Sequence, residues 1–456
     1  MNVISTDAKL DALKQVPQYK LQAISRLEKL LAMSGEEKRR EIERKLAEQL
    51  KYAFRNSEYY RQHFGEAGIT SEEQLSPDRF RDLPFITKAD IRNAYPWKLL
   101  AGSMADVGRY AESTGTTGTP TSAYFSRNDW LENNVFVGYR LLDMFTPDDV
   151  VVIAAPYELS IPAQDLERIF EMIGPTTIAC GVLNEVCNWD RLLHIIEHVK
   201  PTALVCSATR ALLIAETAVQ MGLDPVKDLS IRKILNIGET ANQPKSKKIS
   251  EVWGAEVYNA YGMTESCAMG ISCKHGHIHL IQERYYFEVI DPVTKQPLPQ
   301  GEVGELVITS LSNQSMPLIR YRTNDLVCIS ESGCPCGDRA PILEHYGRIG
   351  EEIRFEKEQV AISYPKLEEK ILKCESYDKF FKVELDAESF EIIADLKPGY
   401  TIDQFRDEMK EQLPLSIHHR FTARTFTPYE RARLLDGLKN SLKPFGKLFS
   451  QRTVQA

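Results

Sequence analysis

The residues best suited to chemistry form one stretch rich in hydroxyls and glycine, residues 113–120, with the sequence Ser-Thr-Gly-Thr-Thr-Gly-Thr-Pro. Glycine lets the backbone adopt positive φ and approach an anion closely. The hydroxyls and exposed backbone N–H groups can donate hydrogen bonds to phosphate oxygens. A polar surface turn explains the stretch equally well. The loop of kinase-type nucleotide-binding proteins is a poorer match, because it needs a lysine directly after its last glycine.

A second set of residues has the chemistry of metal ligands. Cys273, His275, His277 and His279 lie close together, and Cys334-Pro335-Cys336 follows later in the chain. Thiolates and imidazoles combined in this way are typical of a closed structural zinc site. The alternative is a group of free surface thiols and turn histidines.

A third candidate is the sequence His194-Ile-Ile-Glu-His198, which matches the H-x-x-E-H pattern of inverted zinc peptidases. The helix predicted over 189–199 has an apolar face suited to packing on a sheet. A catalytic zinc would also need a third protein ligand and an open cleft. A peptidase is therefore a remote alternative.

The elements that must position these residues alternate between apolar segments and helical patterns. We predict strands over 150–155, 176–179, 203–206 and 233–237, and helices near 163–173, 189–199 and 208–221. This alternation indicates an α/β fold with a largely parallel sheet, whose ligands bind at the carboxyl ends of the strands. Two strand ends carry suitable residues, Gly238-Glu239-Thr240 and Asn259 to Ser266.

The flanking regions have other patterns. Ser34 and Glu37 form a capping box for a helix over 36–54. After residue 287 the pattern indicates β-hairpins, with strands over 304–309, 317–321 and 326–329. Beyond residue 347 we predict a smaller α+β domain with a hairpin of strands 380–385 and 390–396, followed by a helix capped by Thr401 and Gln404.

Composition excludes several classes of function. The 456 residues, 43% hydrophobic and 26% charged, are sufficient for two or three globular domains. A net charge of −8 argues against a protein that binds nucleic acid or an anionic membrane, since both need a basic face. The N-terminus lacks a signal-peptide pattern, and no apolar run approaches the roughly 20 residues of a membrane span. Nine cysteines, an odd number, suggest reduced thiols and a cytoplasmic location.

Four motifs follow one another in a recognisable order. They are residues 113–120, 261–266 (Tyr-Gly-Met-Thr-Glu-Ser), 321–326 (Tyr-Arg-Thr-Asn-Asp-Leu) and 347–348 (Gly-Arg). This series resembles that of the acyl-adenylate-forming superfamily, and residues 56–61, 83–88 and 316–322 resemble the phenylacetate-CoA ligase family within it. The resemblance implies an α/β fold with a large N-terminal adenylation domain, residues 1–347, and a small mobile α+β domain, residues 348–456. The large domain would combine mixed and parallel sheets, flanked by helices, with a β-barrel-like subdomain.

The resemblance also implies an AMP-forming acid–thiol ligase. Such enzymes use ATP and Mg²⁺ to convert a carboxylic acid to an acyl-adenylate, release pyrophosphate and pass the acyl group to coenzyme A. We expect a small, aromatic acid, and a homodimer because dimers occur in the family. A carrier protein's phosphopantetheine thiol, or another nucleophile, is an alternative acceptor. A catalytically silent nucleotide-binding protein is a further alternative.

Individual roles follow from the resemblance. The expected phosphate-binding residues are Ser113, Thr114, Gly115, Thr116, Thr117 and Gly118. The expected adenine slot and its continuation are Gly238, Glu239, Thr240, Asn259, Ala260, Tyr261, Gly262 and Met263. Thr264 would hydrogen-bond the α-phosphate and Glu265 would hold Mg²⁺, for which a carboxylate oxygen is a suitable ligand. Asp325 would accept the ribose hydroxyls, and Arg348 would also contact the ribose.

Two further assignments depend on the resemblance. Lys447 would be the mobile cation that bridges the carboxylate and the adenylate phosphate, since a flexible ammonium can enter and leave with the small domain. Lys443 is the second choice for this role. For the metal cluster, the resemblance selects Cys273, His279, Cys334 and Cys336 as ligands of a structural Zn²⁺.

Some positions depart from the family pattern. Thr119 stands where the phosphate loop usually has lysine, which removes one cation near the pyrophosphate. Asn324 replaces a glycine before Asp325, a change that the turn can survive because asparagine tolerates the left-handed conformation. Residues 155–165 differ from the family's glycine-rich sequence, so the identity of the acid cannot be carried over.

Overall fold

The computed structural model describes residues 6–113, 120–240, 242–331, 333–386 and 388–451, with side chains between residues 18 and 450. The helices in these ranges are α1 (Thr6–Ala32), α2 (Gly35–Asn56), α3 (Glu58–Gly65), α4 (Lys88–Asn93), α5 (Arg127–Leu141), α6 (Ile161–Ile173), α7 (Trp189–Val199), α8 (Ala208–Gln220), α9 (Gln243–Trp253), α10 (Tyr364–Lys373), α11 (Ile402–Gln412) and α12 (Pro428–Lys439). The strands are β1 (Val107–Glu112), β2 (Ser122–Ser126), β3 (Val150–Ile153), β4 (Thr176–Ala179), β5 (Ala203–Cys206), β6 (Lys233–Asn236), β7 (Glu256–Met263), β8 (Cys267–Ser272), β9 (Ile278–Leu280), β10 (Tyr285–Ile290), β11 (Val303–Ser310), β12 (Tyr321–Ser330), β13 (Ile342–Arg348), β14 (Glu352–Phe355), β15 (Val360–Ser363), β16 (Tyr377–Leu385), β17 (Phe390–Leu396), β18 (Phe421–Thr425) and β19 (Phe449–Gln451).

The centre of the fold is an 11-stranded sheet in the order β10-β11-β12-β13-β9-β8-β7-β6-β5-β3-β4. From β4 to β7 the neighbouring strands are parallel. Both faces of the inner strands β3, β5 and β6 are buried: Val152 and Leu204 pack with α7 to α9, while Val151 and Val205 pack with α1, α5 and α6. Double-sided burial explains why these strands are continuous apolar segments. The predicted α/β alternation is confirmed, and β4, β5 and α7 have the predicted bounds.

Antiparallel strands extend the sheet on the other side of β7. Here β10 pairs with β11, whereas β4 lies at the opposite edge of the sheet. Within the described residues these strands therefore continue the sheet and do not close into the expected barrel-like unit.

The strand predicted over 317–321 is wrong, because only Tyr321 lies in a strand, at the start of β12. The backbone N–H groups of Leu318 and Ile319 donate to the side-chain hydroxyls of Ser310 and Tyr60 instead of to backbone carbonyls. Arg320 has φ of 49°, in the left-handed region. Side-chain hydroxyls thus satisfy a backbone whose apolar composition suggested a ladder.

The N-terminal helices cover one end of the sheet. The capping box of Ser34 and Glu37 is present at the start of α2. Helix α1, which the sequence analysis did not predict, packs on α5 with Ala23, Leu27 and Leu30 in the same core. Among the described helices, none is both long and apolar enough to span a membrane.

The C-terminal segment, residues 349–451, contains a four-stranded sheet in the order β18-β17-β16-β19. The predicted hairpin is formed by β16 and β17, and Thr401 and Gln404 form the predicted capping box of α11. Apolar side chains of this segment join those of α8 and α9 in one buried cluster. Glu216 of α8 adds ion pairs to Lys379 and Arg431 at 3.0 and 2.9 Å.

A buried carboxylate lies in the core beside the sheet. Asp165 of α6 accepts hydrogen bonds from the side-chain amides of Asn133 and Asn134 of α5. Burial raises the pKa of the Asp165 carboxyl to about 7, although the charge of Arg284 and the two amides favour its ionised form. The folded protein therefore retains a proton between about pH 4 and pH 7 that the unfolded chain releases.

We predict that Asp165→Asn makes stability less dependent on pH. The stabilisation from the retained proton is complete below about pH 4 and is lost as pH rises to about 7. Between pH 5 and pH 8 the free energy of unfolding of the wild type should therefore fall by about 2 kcal/mol relative to that of the variant. Urea unfolding at several pH values measures this change. Asp143→Asn, at an exposed position, should follow the wild-type curve. Parallel curves for Asp165→Asn and the wild type would contradict the prediction.

Candidate active site

A large cleft lies at the carboxyl ends of the parallel strands, between the main sheet and the C-terminal segment. It is lined by Asn236 and Ile237 after β6 on one side and by residues 440–447 on the other. Its volume of about 2220 Å³ exceeds the roughly 300–1,000 Å³ of a typical small-molecule site. The cleft therefore has room for more than one substrate.

Most nucleotide-binding and catalytic residues predicted from the sequence line this cleft together. Those in the described ranges are Ser113, Gly238, Glu239, Thr240, Asn259, Ala260, Tyr261, Gly262, Met263, Thr264, Glu265, Asp325, Arg348 and Lys447. Lys443 lines it as well. The predicted residues Thr114, Gly115, Thr116, Thr117 and Gly118 lie outside the described residues, as does Thr119.

Asp325 is the buried charge at the centre of the cleft wall, with 2% of its surface exposed. Tyr261 donates its hydroxyl to Oδ2 at 2.8 Å, and Arg348 donates Nε–H to Oδ1 at 3.0 Å. Burial by itself raises the pKa of Asp325, but the positive charge of Arg348 and the hydrogen bonds hold it well below its usual range. Asp325 is therefore an ionised acceptor within a dry wall.

His345 also belongs to this centre, although no sequence motif pointed to it. Its Nε2 lies 3.6 Å from Asp325 Oδ1, and its Nδ1 lies 2.8 Å from the hydroxyl of Thr240. The contact arises because β12 and β13 pair, with Val327 opposite His345. His345 thus links the loop after β6 to Asp325.

Glu265 is a second buried carboxylate at the phosphate-loop end of the cleft. Its Oε1 accepts hydrogen bonds from the hydroxyls of Thr121 and Tyr321 at 3.1 and 3.2 Å. Thr121 also binds Ser113, through two hydrogen bonds to its Oγ at 2.8 and 3.0 Å. These contacts hold the two ends of the predicted phosphate loop beside Glu265.

Lys88, at the start of α4, is a cleft residue whose role was not predicted. Its Nζ lies 3.9 Å from Glu265 Oε1. Thr87 caps α4 through the N–H of Asp90, which fixes the direction of the helix start. The structure therefore brings the Lys88 ammonium to the end of the cleft where Glu265 lies.

Glu239 lies in the predicted adenine slot, but its carboxylate is bound elsewhere. It accepts hydrogen bonds from the backbone N–H and the hydroxyl of Thr209 at 3.1 and 2.5 Å, and it pairs with Lys245. Its backbone carbonyl accepts a hydrogen bond from the amide of Asn236 at 2.8 Å. Through Thr209 and Lys245, the side chain of Glu239 therefore links the predicted adenine slot to α8 and α9.

The two lysines considered as the mobile cation differ in their surroundings. Partial burial lowers the pKa of Lys443, and the charges of Arg348 and Lys88 lower it further, while Glu351 and Glu265 act in the opposite direction. Both lysines keep a large part of their surface exposed: Lys443 precedes the short helical turn of residues 444–448, and Lys447 lies within it. In this arrangement Lys443 is close enough to Lys88 and Glu265 for their charges to affect its pKa.

The four predicted metal ligands form one group at the far end of β9 and β13. Ligand atoms of Cys273, His279, Cys334 and Cys336 all lie within 4.8 Å of one another. His279 Nδ1 is 3.3 Å from the carbonyl oxygen of Ala340, which orients its Nε2 towards Cys336 Sγ, also at 3.3 Å. This three-cysteine, one-histidine set suits a tetrahedral metal.

His277, His194 and His198 are not among the four ligands of this group. His277 Nδ1 lies 3.2 Å from Cys334 Sγ, beside the group. His194 and His198 of the H-x-x-E-H sequence stack on α7, with ring centroids 4.1 Å apart. Among the described residues these two belong to no group of three potential metal ligands, which gives no support to a peptidase.

The chain is similar to several known proteins. The AMP-binding enzyme family matches residues 113–315. Phenylacetate-coenzyme A ligase of Thermus thermophilus is 30% identical over 301 residues, which cover 65% of this chain and 66% of that protein. The enzyme of the same name from Pseudomonas putida is 30% identical over 61% of this chain and 63% of its own length. The one from Escherichia coli is 26% identical over 86% of this chain and 85% of its length. The match to the first two thus spans slightly less than two thirds of each relative.

Solved structures show the same fold. A 2-hydroxyisobutyryl-CoA ligase in its postadenylation state has a TM-score of 0.77 and 21% identity, with 87% of both chains covered. The same ligase in its thioesterification state has a TM-score of 0.63 with the same identity and coverage. The overall similarity is therefore greater to the former structure.

We predict that Gly262→Ala destabilises the turn between β7 and β8. A Cβ atom there would lie 2.3 Å from the carbonyl oxygen of Cys267 and 2.9 Å from the Cα of Ala268, so the backbone must move. The expected cost is about 1–3 kcal/mol in the free energy of unfolding, measured by denaturant titration. Gly437→Ala is a matched control in α12, because its Cβ meets nothing within 4 Å and should be neutral or stabilising. Equal stability of the two variants would refute the argument.

Proposed function

We propose that this chain, a phenylacetate-CoA ligase-like member of the AMP-binding enzyme family, activates a carboxylic acid with ATP and transfers it to coenzyme A. The observation that carries the proposal is the convergence of Thr264, Glu265, Asp325 and Arg348 on one cleft, with two C-terminal lysines at its mouth. Neutralising a polyphosphate and aligning a weak carboxylate nucleophile require this combination of groups.

The reaction has two steps. A carboxylate oxygen attacks the α-phosphorus of ATP, the bond to the β-phosphate oxygen breaks, and pyrophosphate leaves. The coenzyme A thiol then loses its proton to solvent or a base, its sulfur attacks the acyl carbon, and AMP leaves with the former carboxylate oxygen. Both steps are helped by cations and N–H donors near the α-phosphate, because negative charge accumulates there.

We assign nucleotide recognition to the Asp325 centre. An ionised carboxylate in a dry wall is a strong acceptor for two ribose hydroxyls, and Arg348 preserves its charge. The ring of Tyr261, which is fixed through its hydroxyl to Asp325, would cover the adenine. The slot itself would be formed by the backbone after β6, since the carboxylate of Glu239 is bound to Thr209 and Lys245.

Glu265 would hold Mg²⁺, which favours carboxylate oxygens and the oxygens of phosphates. Thr121 and Tyr321 orient its carboxylate. Lys88 would supply the cation that Thr119 cannot, because its ammonium lies 3.9 Å from Glu265 on the same side of the cleft. The Mg²⁺ held by Glu265 and the ammonium of Lys88 would therefore share the neutralisation of the phosphates.

The acyl group is expected to be apolar. Ala155, Pro156, Leu159, Leu183 and Ile237 line the cleft beyond the nucleotide residues. Apolar walls of this kind favour an uncharged aromatic or aliphatic group over a second carboxylate. Glu158, also in the lining, would repel a dicarboxylic acid.

The domain division at residues 347 and 348, a homodimer and a cytoplasmic location stay predictions. Gly347, with φ of 114°, precedes Arg348 and lies against Pro365 of the C-terminal segment, which supports a hinge here. Rotation at this point would move Lys443 and Lys447 away from the phosphates between the two steps.

The cysteine and histidine group would hold a structural Zn²⁺. Strand β13 carries His345 and Arg348 at one end and pairs with His279 of β9 at the other. A metal at this position would stiffen the strand on which the nucleotide wall depends, without taking part in the reaction.

The direct test of function uses a panel of carboxylic acids with ATP and Mg²⁺. Pyrophosphate release that depends on one class of acid supports adenylation, and a thioester in the presence of coenzyme A supports the ligase. Absence of pyrophosphate with every acid would overturn the proposal. Pyrophosphate without a thioester would move the acceptor to a carrier protein or another nucleophile.

We predict different effects for three lysine variants. Lys447→Ala should reduce pyrophosphate release by about 10²–10³-fold while sparing thioester formation from pre-formed acyl-adenylate, because only the first step needs the bridging cation. Lys443→Ala and Lys88→Ala should mainly raise the KM for ATP, since they weaken ground-state phosphate binding. Selective loss of the first step in Lys443→Ala, with normal activity in Lys447→Ala, would reassign the mobile cation to Lys443.

For the metal, we predict about one zinc per chain in protein purified without chelator, measured by elemental analysis. Cys336→Ser should lose most of the metal and lower the melting temperature. The three remaining ligands would bind the metal more weakly, and the protein would lose the stability that metal binding contributes. Cys328→Ser, outside the group, should keep both. Full zinc content in Cys336→Ser would reject this ligand set.

A further inference from the structure

A buried ion cluster joins the nucleotide slot to the C-terminal segment. Lys245, in the first turn of α9, is 1% exposed. Its Nζ lies 2.7 Å from Oε1 of Glu368 in α10 and makes a closer contact with Oε1 of Glu239. It also donates to the hydroxyl of Thr209 at 3.3 Å. A lysine in the first turn of a helix is disfavoured by the helix dipole, so its burial depends on the ion pairs and the hydrogen bond that these acceptors provide.

The same ammonium contacts the segment that carries the candidate mobile lysines. Lys245 Nζ lies 4.7 Å from the ring centroid of Phe445, within cation–π distance. Phe445 stands between Lys443 and Lys447 in the short helix over 444–448. The position of Phe445 therefore sets how far both lysines reach into the cleft.

The cluster is complete only when the C-terminal segment is docked, because Glu368 belongs to that segment. Burial and the charge of Glu239 raise the pKa of Glu368, Lys245 acts in the opposite direction, and the net result is a pKa of about 7. Within the described residues, Oε2 of Glu368 is buried without a hydrogen-bond partner. Undocking would return this carboxyl to water and leave Lys245 paired with Glu239 alone. The docked state is thus held by a few specific contacts at a desolvation cost.

We propose that Lys245 is a positioning residue that couples the adenine slot to the mobile lysine segment. By holding Glu239, Glu368 and the ring of Phe445 in one dry cluster, it sets residues 443–447 at the phosphate end for adenylation. Lys245 contacts neither phosphate nor acid. This inference rests on the proposed adenylation activity and predicts that the cluster serves the first step only.

A second interface contact allows a matched comparison. Glu216 of α8 pairs with Lys379 and Arg431 of the same C-terminal segment at 3.0 and 2.9 Å. It contributes to docking but touches neither the adenine slot nor residues 443–447. If Lys245 acted only by strengthening the interface, loss of either set of contacts would have the same effect.

The experiment compares Lys245→Met, Glu368→Leu, Glu368→Gln and Glu216→Gln in the full chain. Acid-dependent pyrophosphate release and thioester formation from pre-formed acyl-adenylate are measured separately. Lys245→Met and Glu368→Leu should lower the kcat of the first step by about tenfold or more, since misplaced groups lose reactive alignment, and should leave the second step within about twofold. Glu368→Gln keeps an oxygen for the ammonium and should retain most of the rate, as should Glu216→Gln.

Hydrogen exchange in the nucleotide-free protein provides a readout that does not need activity. Amides of residues 441–448 should exchange faster in Lys245→Met and Glu368→Leu than in the wild type and Glu216→Gln. Equal losses in both steps, or a loss in Glu216→Gln that matches Lys245→Met, would overturn the proposal. If the wild type releases no pyrophosphate with any acid, the proposed function fails. In that case, unchanged exchange in Lys245→Met would also refute the cluster's hold on the segment.

Discussion

The ionised carboxylate of Asp325 is the constraint on which the cleft depends. It is buried where β12 meets β13, and its charge is tolerable there only because Arg348 and Tyr261 lie against its two oxygens. Each of these partners is itself part of the cleft wall. Tyr261 comes from β7, and His345 connects the same carboxylate to Thr240 after β6. One charge thus orders three separate stretches of chain around the place where a nucleotide would lie.

Two other buried carboxylates of the cleft, Glu265 and Glu239, also depend on partners from other parts of the chain. Glu265 is buried against the hydroxyls of Thr121 and Tyr321, with Lys88 nearby. Glu239 is buried against Lys245, which reaches across to Glu368. Each carboxylate is stabilised by groups from a different part of the chain. The electrostatics of the site therefore depend on how its two halves dock, and a change in docking alters the charges that line the cleft.

Much of the fold could be predicted from sequence periodicity. Buried parallel strands such as β5 are continuous apolar segments, and capping boxes such as that of Thr401 mark where helices begin. Prediction failed over 317–320, because side-chain hydroxyls of Ser310 and Tyr60 bind a backbone that resembles a strand in composition. Local pattern contains no information about such distant partners.

Some residues of the candidate site could likewise be predicted from the sequence, whereas others became apparent only in the structure. Motif order led to Asp325, Glu265 and Arg348, and the resemblance selected His279 from three neighbouring histidines; the structure brings that histidine together with the three cysteines. Lys88, His345 and Lys245 could not be found, since each acquires its role from strand pairing or helix packing between residues far apart in sequence. These residues also connect separate stretches of chain around the cleft.

In the proposed reaction this cleft joins a carboxylate oxygen to the α-phosphorus of ATP. Oxygen-18 in the carboxylate of an accepted acid follows that bond, with the products analysed by mass spectrometry after thioester formation. We expect one labelled oxygen in AMP and none in pyrophosphate, because the acyl–oxygen bond breaks in the second step. Unlabelled AMP, or label in inorganic phosphate accompanied by ADP, would show that this bond does not form.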